Sequence, residues 1–264
     1  ASRLGAGRIS ALNYANHLVL LPHGVLALSL STVIFPLMVR QYGLGQLDDV
    51  KQTLHRALGP LVFLTLPGAV SLFAFRASIV QTLFQFGSFT PESTALVATA
   101  VGYFAPGLLA RAVVETTTRA FYAMHDTRTP VAVALLAIAA NVALSWLLAP
   151  RLGHGGLALS ISITSTLRMV VLLAILWRRV GGVGHELRSS LPRMVLAAAM
   201  LAAFALWLAD PLARITDPTD GRTIWTYGAL AAAGSLYVAA AYWLRIPECA
   251  RLVHAARRRL GWTG

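Results

Sequence analysis

The sequence predicts an all-α integral membrane protein that crosses the bilayer several times. Of its 264 residues, 57% are hydrophobic and only 12% are charged, whereas soluble domains carry about 25% charged residues. The mean hydropathy is +0.67. Apolar runs of about the ~20 residues that a helix needs to cross the hydrocarbon core alternate with short polar connections along the chain. These observations predict a polytopic helical protein and leave no segment for a soluble domain.

Seven apolar runs are candidate spans. They are Ala11–Val39, Ala57–Phe75, Thr94–Thr118, Thr129–Pro150, Gly156–Trp177, Met194–Ala209 and Ile224–Leu244. The first is interrupted by Pro22-His23-Gly24, so we expect a bend or two helices there. The second contains Pro67-Gly68, which predicts a kink at mid-depth. The polar connection Gln41–His55 predicts an interfacial helix, and His154 is interpreted as an outer-loop residue.

The distribution of basic residues predicts the orientation in the membrane. The 22 basic residues outnumber the 10 acidic ones, but they lie between apolar runs, as the positive-inside rule requires, which argues against nucleic acid as a partner. Fourteen lie in alternate connections: Arg40, Lys51, Arg56, Arg119, Arg128, Arg178, Arg179, Arg188, Arg193, Arg245, Arg251 and Arg257 to Arg259. Six lie on the other side: Arg3, Arg8, Arg76, Arg151, Arg214 and Arg222.

The richer set is expected in the cytoplasm, which places the N-terminus of this chain outside and the C-terminus inside. Positions expected to be extracytoplasmic are Ser88 and Asp217, and those expected in the cytoplasm are His55, Arg188 and Gly264. The tail Glu248–Leu260 mixes apolar residues with arginines, which predicts a short helix on the anionic inner leaflet. The chain starts without Met and lacks a signal peptide, so we expect a fragment of a longer protein.

The third predicted span carries the most informative side chains, Arg111 and Glu115. Each costs ~2.5–3.5 kcal/mol near the bilayer centre, so neither should face lipid. They are four residues apart and share a helical face, where they meet each other, other helices or water. Arg before Glu is the weaker i,i+4 order, which indicates a partner on another helix for at least one of them. A transport cavity and a structural pair both remain open.

Four stretches resemble the lipid II flippase family (MurJ, also called MviN). They are ALNYANHLVLLPHGV with STVIFP, LFQFGSFTPEST, RAFYAMHDTRTPV and NVALSWLLAPRLGHGGLALS, and together they cover roughly residues 10–180. The last two spans fit by position alone. The resemblance implies the superfamily that includes multidrug and toxic-compound exporters, with these spans matching the eighth to fourteenth of fourteen. It further implies a C-terminal transport lobe over residues 1–180, then two spans and a basic tail over 181–264, with the N-terminal lobe missing.

The family resemblance implies a flippase that moves lipid II, an undecaprenyl-pyrophosphate-linked muropeptide, across the bacterial cytoplasmic membrane. Alternating access between two lobes would move the headgroup through a hydrated cationic cavity, while the lipid tail follows a groove at the last two spans. The implied partners are lipid II, membrane lipids and the missing lobe. Two alternatives stay open: an exporter of another lipid-linked saccharide or of drugs, and a membrane scaffold that has lost transport.

The same resemblance indicates which residues are candidates for the substrate and ion sites. Asn16 and His17 stand where the family usually has an acidic residue and an arginine that binds pyrophosphate. Histidine is charged only part of the time near neutral pH. Some family members bind sodium through an Asn and an acid four residues later; the matching positions are Asn141 and Ser145, without the carboxylate. An asparagine within a membrane span more often forms a hydrogen bond to a neighbouring helix than it binds an ion.

Three further charged residues are candidates from the pattern itself. Arg168, mid-span in SITSTLRMVV, either snorkels to the inner surface or faces the lumen. Asp126 is expected to cap the helix that begins at Thr129-Pro130, and with Arg128 it forms a turn or part of an inner gate. The hydroxyl-rich stretch 160–166 is interpreted as close packing.

The sequence contains no nucleotide-binding loop, catalytic triad or metal-ligand spacing. Its one cysteine, Cys249, excludes an internal disulfide and a cysteine metal site. We therefore expect a transporter that is not an enzyme, with no catalytic residue, no metal and no cofactor.

Overall fold

The structure, a computed structural model, describes residues 7–24, 29–182, 185–213 and 220–250. Within these residues the chain is helical and has no strand, which confirms the predicted all-α class. The helices are α1 (Arg8–His23), α2 (Ser29–Gly43), α3 (Leu47–Ala74), α4 (Arg76–Phe84), α5 (Pro91–Phe104), α6 (Gly107–Ala123), α7 (Arg128–Leu152), α8 (His154–Val180), α9 (His185–Ala213) and α10 (Asp220–Trp243).

Five of the described helices are long and apolar enough to cross a membrane, and the bent pair α5–α6 makes six if it counts as one span. The five lie in α3, α7, α8, α9 and α10. The predicted count of seven is not confirmed. For the first predicted span the structure describes the chain through α1 to Gly24 and again from Ser29 in α2, and the bend or break expected after Pro22-His23-Gly24 falls on residues outside the described part. The two described pieces, of 16 and 15 residues, are each shorter than the ~20 residues that cross a bilayer.

The predicted interfacial helix over Gln41–His55 is wrong. Helix α2 continues to Gly43, a turn follows at Gly45 with φ +73°, and α3 begins at Leu47. Asp48 and Asp49 in the first turn stabilise α3, because their negative charges lie at the positive end of the helix dipole. His55 therefore lies inside α3, which runs through both Pro60 and Pro67 to Ala74.

Pro106 divides the third predicted span, Thr94–Thr118, which the length of the apolar run predicts as one continuous helix. Helices α5 and α6 meet there at an angle of 50°, because proline lacks an N–H donor and its ring clashes with the preceding turn. Carbonyl groups are left without helical partners at such a break. The Ser162 hydroxyl of α8 donates to the Tyr103 carbonyl at 2.7 Å, and the Phe104 carbonyl lies 3.4 Å away.

Gly107 lets α6 approach α8 closely at this break. A Cβ atom at this position would lie 2.7 Å from Ser162 Oγ and 2.9 Å from Ser162 Cα. Both distances are too short for carbon in contact with these atoms, so a side chain here would push the two helices apart. The break in α5–α6 is thus held against the middle of α8.

Helices α7 and α8 form a hairpin that turns at Gly153, whose φ is +58°. His154 follows immediately as the first residue of α8 and is buried, with Nε2 2.9 Å from the Leu96 carbonyl of α5. Its predicted place in an outer loop is therefore wrong. The helix N-terminus folds back onto α5 and buries the ring.

Helices α9 and α10 pack against α3 and α4. The Tyr237 hydroxyl of α10 donates to the Phe63 carbonyl at 3.0 Å, and the hydroxyls of Thr226 and Thr82 lie 3.2 Å apart. Glu248, predicted to start a surface helix, is instead 2% exposed and accepts a hydrogen bond from Ser190. The remainder of the predicted tail, from Arg251, and the positions Asp217 and Gly264 lie outside the described residues.

Candidate functional site

A cavity of about 660 Å³ opens between α2, α6 and α8. Its wall comes mainly from α6, where lining positions recur every three or four residues and therefore share one helical face. The lining residues are Phe35, Arg111, Val114, Glu115, Thr118, Arg119, Tyr122, Ser165 and Arg168. Three arginines and one glutamate make the formal charge of this wall positive.

Arg111 is held in place by a neighbouring helix. Its Nη1 donates to Asn16 Oδ1 of α1 at 3.0 Å, and its guanidinium carbon lies 5.4 Å from the centre of the Phe104 ring. The partner on another helix that the Arg-before-Glu order indicated is therefore Asn16. Hydrogen bonding on one side and a ring on another fix the direction of the guanidinium before any ligand arrives.

Glu115 lines the same cavity but pairs with Arg119, and no direct ion pair joins it to Arg111. Both Nε and Nη2 of Arg119 donate to Glu115 Oε1, at 3.1 and 2.9 Å. Glu before Arg at i,i+4 is the favourable order on a helix. The charge pattern places Arg119 among the basic residues of the connections, and its spacing of four from Glu115 is the signal in the sequence for its position in the cavity.

Arg168 of α8 also lines the cavity, and the choice between the lumen and the inner membrane surface stays a prediction. Its Nε is buried and finds no hydrogen-bond partner in the described part of the chain. The Thr118 hydroxyl, which also lines the cavity, is buried and equally unpartnered among those residues. Buried polar groups without partners are rare in folded proteins, and they mark places where a ligand or water can supply one.

The register of α6 against α8 places Arg168 at the depth of Arg111 and Glu115. Ser162 of α8 lies opposite Gly107 of α6, and Arg179 near the end of α8 reaches Asp126 just past the end of α6. The two helices therefore run in the same direction. Counting along both from the Ser162–Gly107 contact brings Arg168 level with position 113 on α6. The Cα positions of Arg111, Glu115 and Arg168 thus lie within about one helical turn, or ~6 Å, along the helix axes.

His17 takes a different position from its neighbour Asn16. Its side chain is exposed, and it is not one of the residues that line this cavity. Asn16 is half-buried and reaches the cavity through Arg111. Exposure argues against a His17 buried between the described helices, while its predicted contact with pyrophosphate stays a prediction.

Asn141 and Ser145 of α7 bond to hydroxyl groups of α8. Asn141 Nδ2 donates to Ser160 at 3.2 Å and to Thr164 at 3.3 Å, and the Ser145 and Ser160 hydroxyls lie 2.8 Å apart. The amide nitrogen faces the hydroxyls, and the cluster has no carboxylate. These residues do not fit a sodium site of the kind that the resemblance implies, because hard cations in proteins are held by oxygen ligands that usually include carboxylates. The described residues also contain no group of three or more metal-ligating His, Cys, Asp or Glu side chains.

The turn between α6 and α7 is organised by Asp126. Its Oδ1 accepts from the Thr129 amide at 3.0 Å and its Oδ2 from the Thr129 hydroxyl at 2.6 Å, as expected for a residue that caps α7. Arg179 of α8 donates to Oδ2 at 2.5 Å. The hydrogen bonds from Thr129, helped by Arg179, lower the pKa of Asp126 to about 2. Arg128 is exposed at the start of α7, and a gating role for these residues remains a prediction.

A family profile described as Lipid II flippase MurJ matches residues 1–214 of this chain. The chain belongs to this family. A probable lipid II flippase MurJ of Rhizobium meliloti (strain 1021) is 34% identical over 241 residues, which are 89% of this chain and 45% of that protein. The Lipid II flippase MurJ of Burkholderia cenocepacia is 30% identical over 179 residues, or 68% of this chain and 35% of that protein.

A solved structure of Lipid II flippase MurJ in an inward closed conformation has the same fold. It matches with a TM-score of 0.71 at 23% identity and covers 90% of this chain and 47% of that chain. The chain thus spans less than half the length of these MurJ relatives. The resemblance seen in the four motifs is confirmed, and the MurJ profile extends it past residue 180 into α9. Together, the family and the apolar helices establish a multi-pass membrane protein.

Proposed function

We propose that this chain forms the C-terminal part of a lipid II flippase, which moves the undecaprenyl-pyrophosphate-linked muropeptide across the membrane by alternating access. The observation that carries the proposal is the cationic cavity in which Arg111 and Arg168 lie at one depth inside membrane-spanning helices. An uncompensated charge at this depth is costly, so such residues are retained where they line a pathway.

The chemistry of the two arginines suits an anionic headgroup. A guanidinium remains charged and offers paired N–H donors that match phosphate or carboxylate oxygens. Arg111 is oriented by Asn16, whereas Arg168 has a buried Nε that no described residue satisfies. An anion between them would satisfy Arg168 and replace part of the hydration that the headgroup loses on leaving water.

An apolar pocket supports a separate path for the lipid tail. It measures about 270 Å³, lies between α3, α9 and the break at Pro106, and is lined by Ala69, Val70, Phe73, Ala74, Pro106, Ala202 and Leu206. A tail that follows this groove stays in a hydrocarbon environment while the headgroup moves through the cationic cavity. We therefore assign residues 1–180 to a transport lobe and the helices that follow to guiding the lipid tail, as part of this proposal.

The remaining partners follow from the same proposal. The other wall of the pathway would come from an N-terminal lobe, which is consistent with relatives more than twice as long as the matched part of this chain. The protein would lie in the bacterial cytoplasmic membrane, with the N-terminus of this chain outside and its C-terminus inside. The relatives are named for lipid II flipping, so an exporter of drugs or other saccharides and an inactive scaffold have no support from them.

Complementation tests the proposal. The full-length protein is produced in cells depleted of their own lipid II flippase, and growth is compared with that of Arg111→Gln and Arg168→Gln variants at matched protein levels. We expect each substitution to reduce rescue, because a headgroup anion loses a guanidinium. Arg178→Gln is the matched control, since Arg178 is an exposed residue of the same helix as Arg168. Failure of the unsubstituted protein to rescue, or full rescue by both cavity variants, would overturn the proposal.

A further inference from the structure

Glu115 is the acidic residue among the described residues that line the cavity. A carboxylate repels a purely anionic headgroup, so its position at the depth of Arg111 and Arg168 needs an explanation. Pairing with Arg119 explains part of it. Both hydrogen bonds from Arg119, however, end on the same oxygen, Glu115 Oε1.

The second oxygen of Glu115 has no hydrogen-bond partner in the described residues, and the side chain is 37% exposed towards the cavity. The Arg119 side chain is 23% exposed beside it. Ion pairs at i,i+4 on one helix are individually weak, so a ligand can share the carboxylate without breaking the fold. The cavity therefore presents donors at Arg111 and Arg168 and a charged acceptor within about one helical turn of them.

We infer that Glu115 accepts a hydrogen bond from a cationic amine of the bound headgroup, close to the anionic group that Arg111 and Arg168 hold. The inference rests on the proposed function and deepens it, because it names a feature of the substrate. The cavity selects a headgroup in which a free ammonium lies near an anion, as in an amino-acid zwitterion. Glu115 is then a specificity residue, and the two hydrogen bonds from Arg119 hold its carboxylate in place beside the cavity.

The geometry of the wall favours this arrangement over simple neutralisation of Arg168. A carboxylate that served only as a counter-ion would contact the buried guanidinium directly, since a charged group in a low-dielectric site gains most from a close partner. Glu115 instead bonds to the half-buried Arg119, one turn further along α6, and leaves the buried Arg168 Nε unpartnered among the described residues. That pattern leaves room for both charges of a zwitterionic ligand.

Binding of two forms of one lipid-linked muropeptide tests the inference. The full-length protein in lipid nanodiscs is titrated with the form that has a free amine and with the form in which that amine is acetylated. We expect the free amine to bind roughly tenfold more tightly, as one charge-assisted hydrogen bond allows. In Glu115→Gln the preference disappears while the acetylated form still binds. Glu92→Gln, a change at an exposed acid at the start of α5, keeps the preference.

The outcomes separate this inference from the function on which it rests. Equal affinity of the unsubstituted protein for the two forms, or an undiminished preference in Glu115→Gln, would overturn the role of Glu115 and leave the flippase proposal standing. Failure of both forms to bind would overturn the proposed function as well. Equal affinity for the two forms in the unsubstituted protein overturns the inference even if Glu115→Gln does not fold, and Glu115→Asp, which keeps the charge on a shorter side chain, then serves as the second variant and should show a reduced preference.

Discussion

Arg111 on α6 and Asn16 on α1 are joined by a hydrogen bond of 3.0 Å. The two residues are 95 positions apart in sequence. Asn16 therefore contributes to the cavity as a positioning residue, by holding the guanidinium that faces it. This contact links the first described helix to the wall that carries most of the charged side chains.

Asn16→Ala should weaken headgroup binding roughly fivefold, the effect of one hydrogen bond. The physical reason is that Arg111 loses its fixed direction while keeping its charge. In an Arg111→Gln background the same change should add little, so the two effects are not additive. Binding in nanodiscs measures both. Asn13→Ala, at an exposed position of the same helix, is the control, and simple additivity of Asn16→Ala and Arg111→Gln would contradict the coupling.

Ser162→Ala should lower the free energy of unfolding by about 1–2 kcal/mol, because the Tyr103 carbonyl beside the helix break loses its donor. Gly107→Ala should cost more, since its Cβ would meet the backbone of Ser162. Thermal unfolding in detergent measures both. Thr99→Ala removes a hydroxyl that bonds within its own helix, and it should have a smaller effect. A Tm for Ser162→Ala equal to that of the unsubstituted protein would refute the structural role of this hydroxyl.

Asp126→Asn should lower Tm by about 2–4 °C, the shift that a loss of ~1 kcal/mol produces in a chain of this size, because asparagine keeps one acceptor oxygen but loses the charge that strengthens the bonds from Thr129 and Arg179. The pKa of Asp126 is lowered from 3.8 to about 2, so its ionised form is the one stabilised by folding. That stabilisation is complete above about pH 4 and disappears as the pH falls towards 2. The Tm difference between the two proteins should therefore be constant from pH 8 to pH 5 and shrink below pH 4.

Arg179→Gln provides the comparison for Asp126. It removes the contact from α8 but leaves both Thr129 bonds, which contribute most to the lowered pKa. We expect a smaller loss of Tm than in Asp126→Asn. A larger loss would mean that the contact between α8 and the turn, and not the helix cap, is what stabilises this end of the bundle.

His17→Arg should leave the amount of protein in the membrane unchanged, because the side chain is exposed and the new charge is not forced between helices. If His17 also contacts the headgroup in the full-length protein, arginine should keep or raise transport and His17→Ala should reduce it. Immunoblotting and complementation measure the two quantities separately. Loss of protein in His17→Arg would show that the site is buried after all.

The spans from α7 to α10 illustrate what sequence can predict. Each is a long apolar run between charged connections, so its helical state and approximate ends follow from the length of the bilayer and the cost of burying charge. The cap at Asp126 was also predictable, because aspartate before Thr129-Pro130 is a local pattern. Family membership could be predicted from short motifs because each motif is contiguous in the chain and does not depend on packing.

The corrections concern features that depend on neighbours distant in sequence. Pro106 lies inside an apolar run, and hydropathy alone does not reveal that α5 ends just before it. The hydroxyl that satisfies the Tyr103 carbonyl at this break comes from Ser162, which is distant in sequence. His154 looked like a loop residue until α8 was seen to start there and fold onto α5. Glu248 belongs to a basic tail in the sequence, but in the fold it is buried and accepts a hydrogen bond from the Ser190 hydroxyl of α9.

The sequence by itself determined that this protein is a helical membrane protein of the lipid II flippase family, and it singled out Arg111 and Glu115 as charged residues within an apolar run. Composition, span length and local motifs carry that information without reference to packing. Only the tertiary structure decided that Arg111 binds Asn16, that Glu115 pairs with Arg119 and that Arg168 joins them at the same depth. These relationships depend on the register and angle between helices, which side-chain packing sets and which no local pattern along one helix encodes.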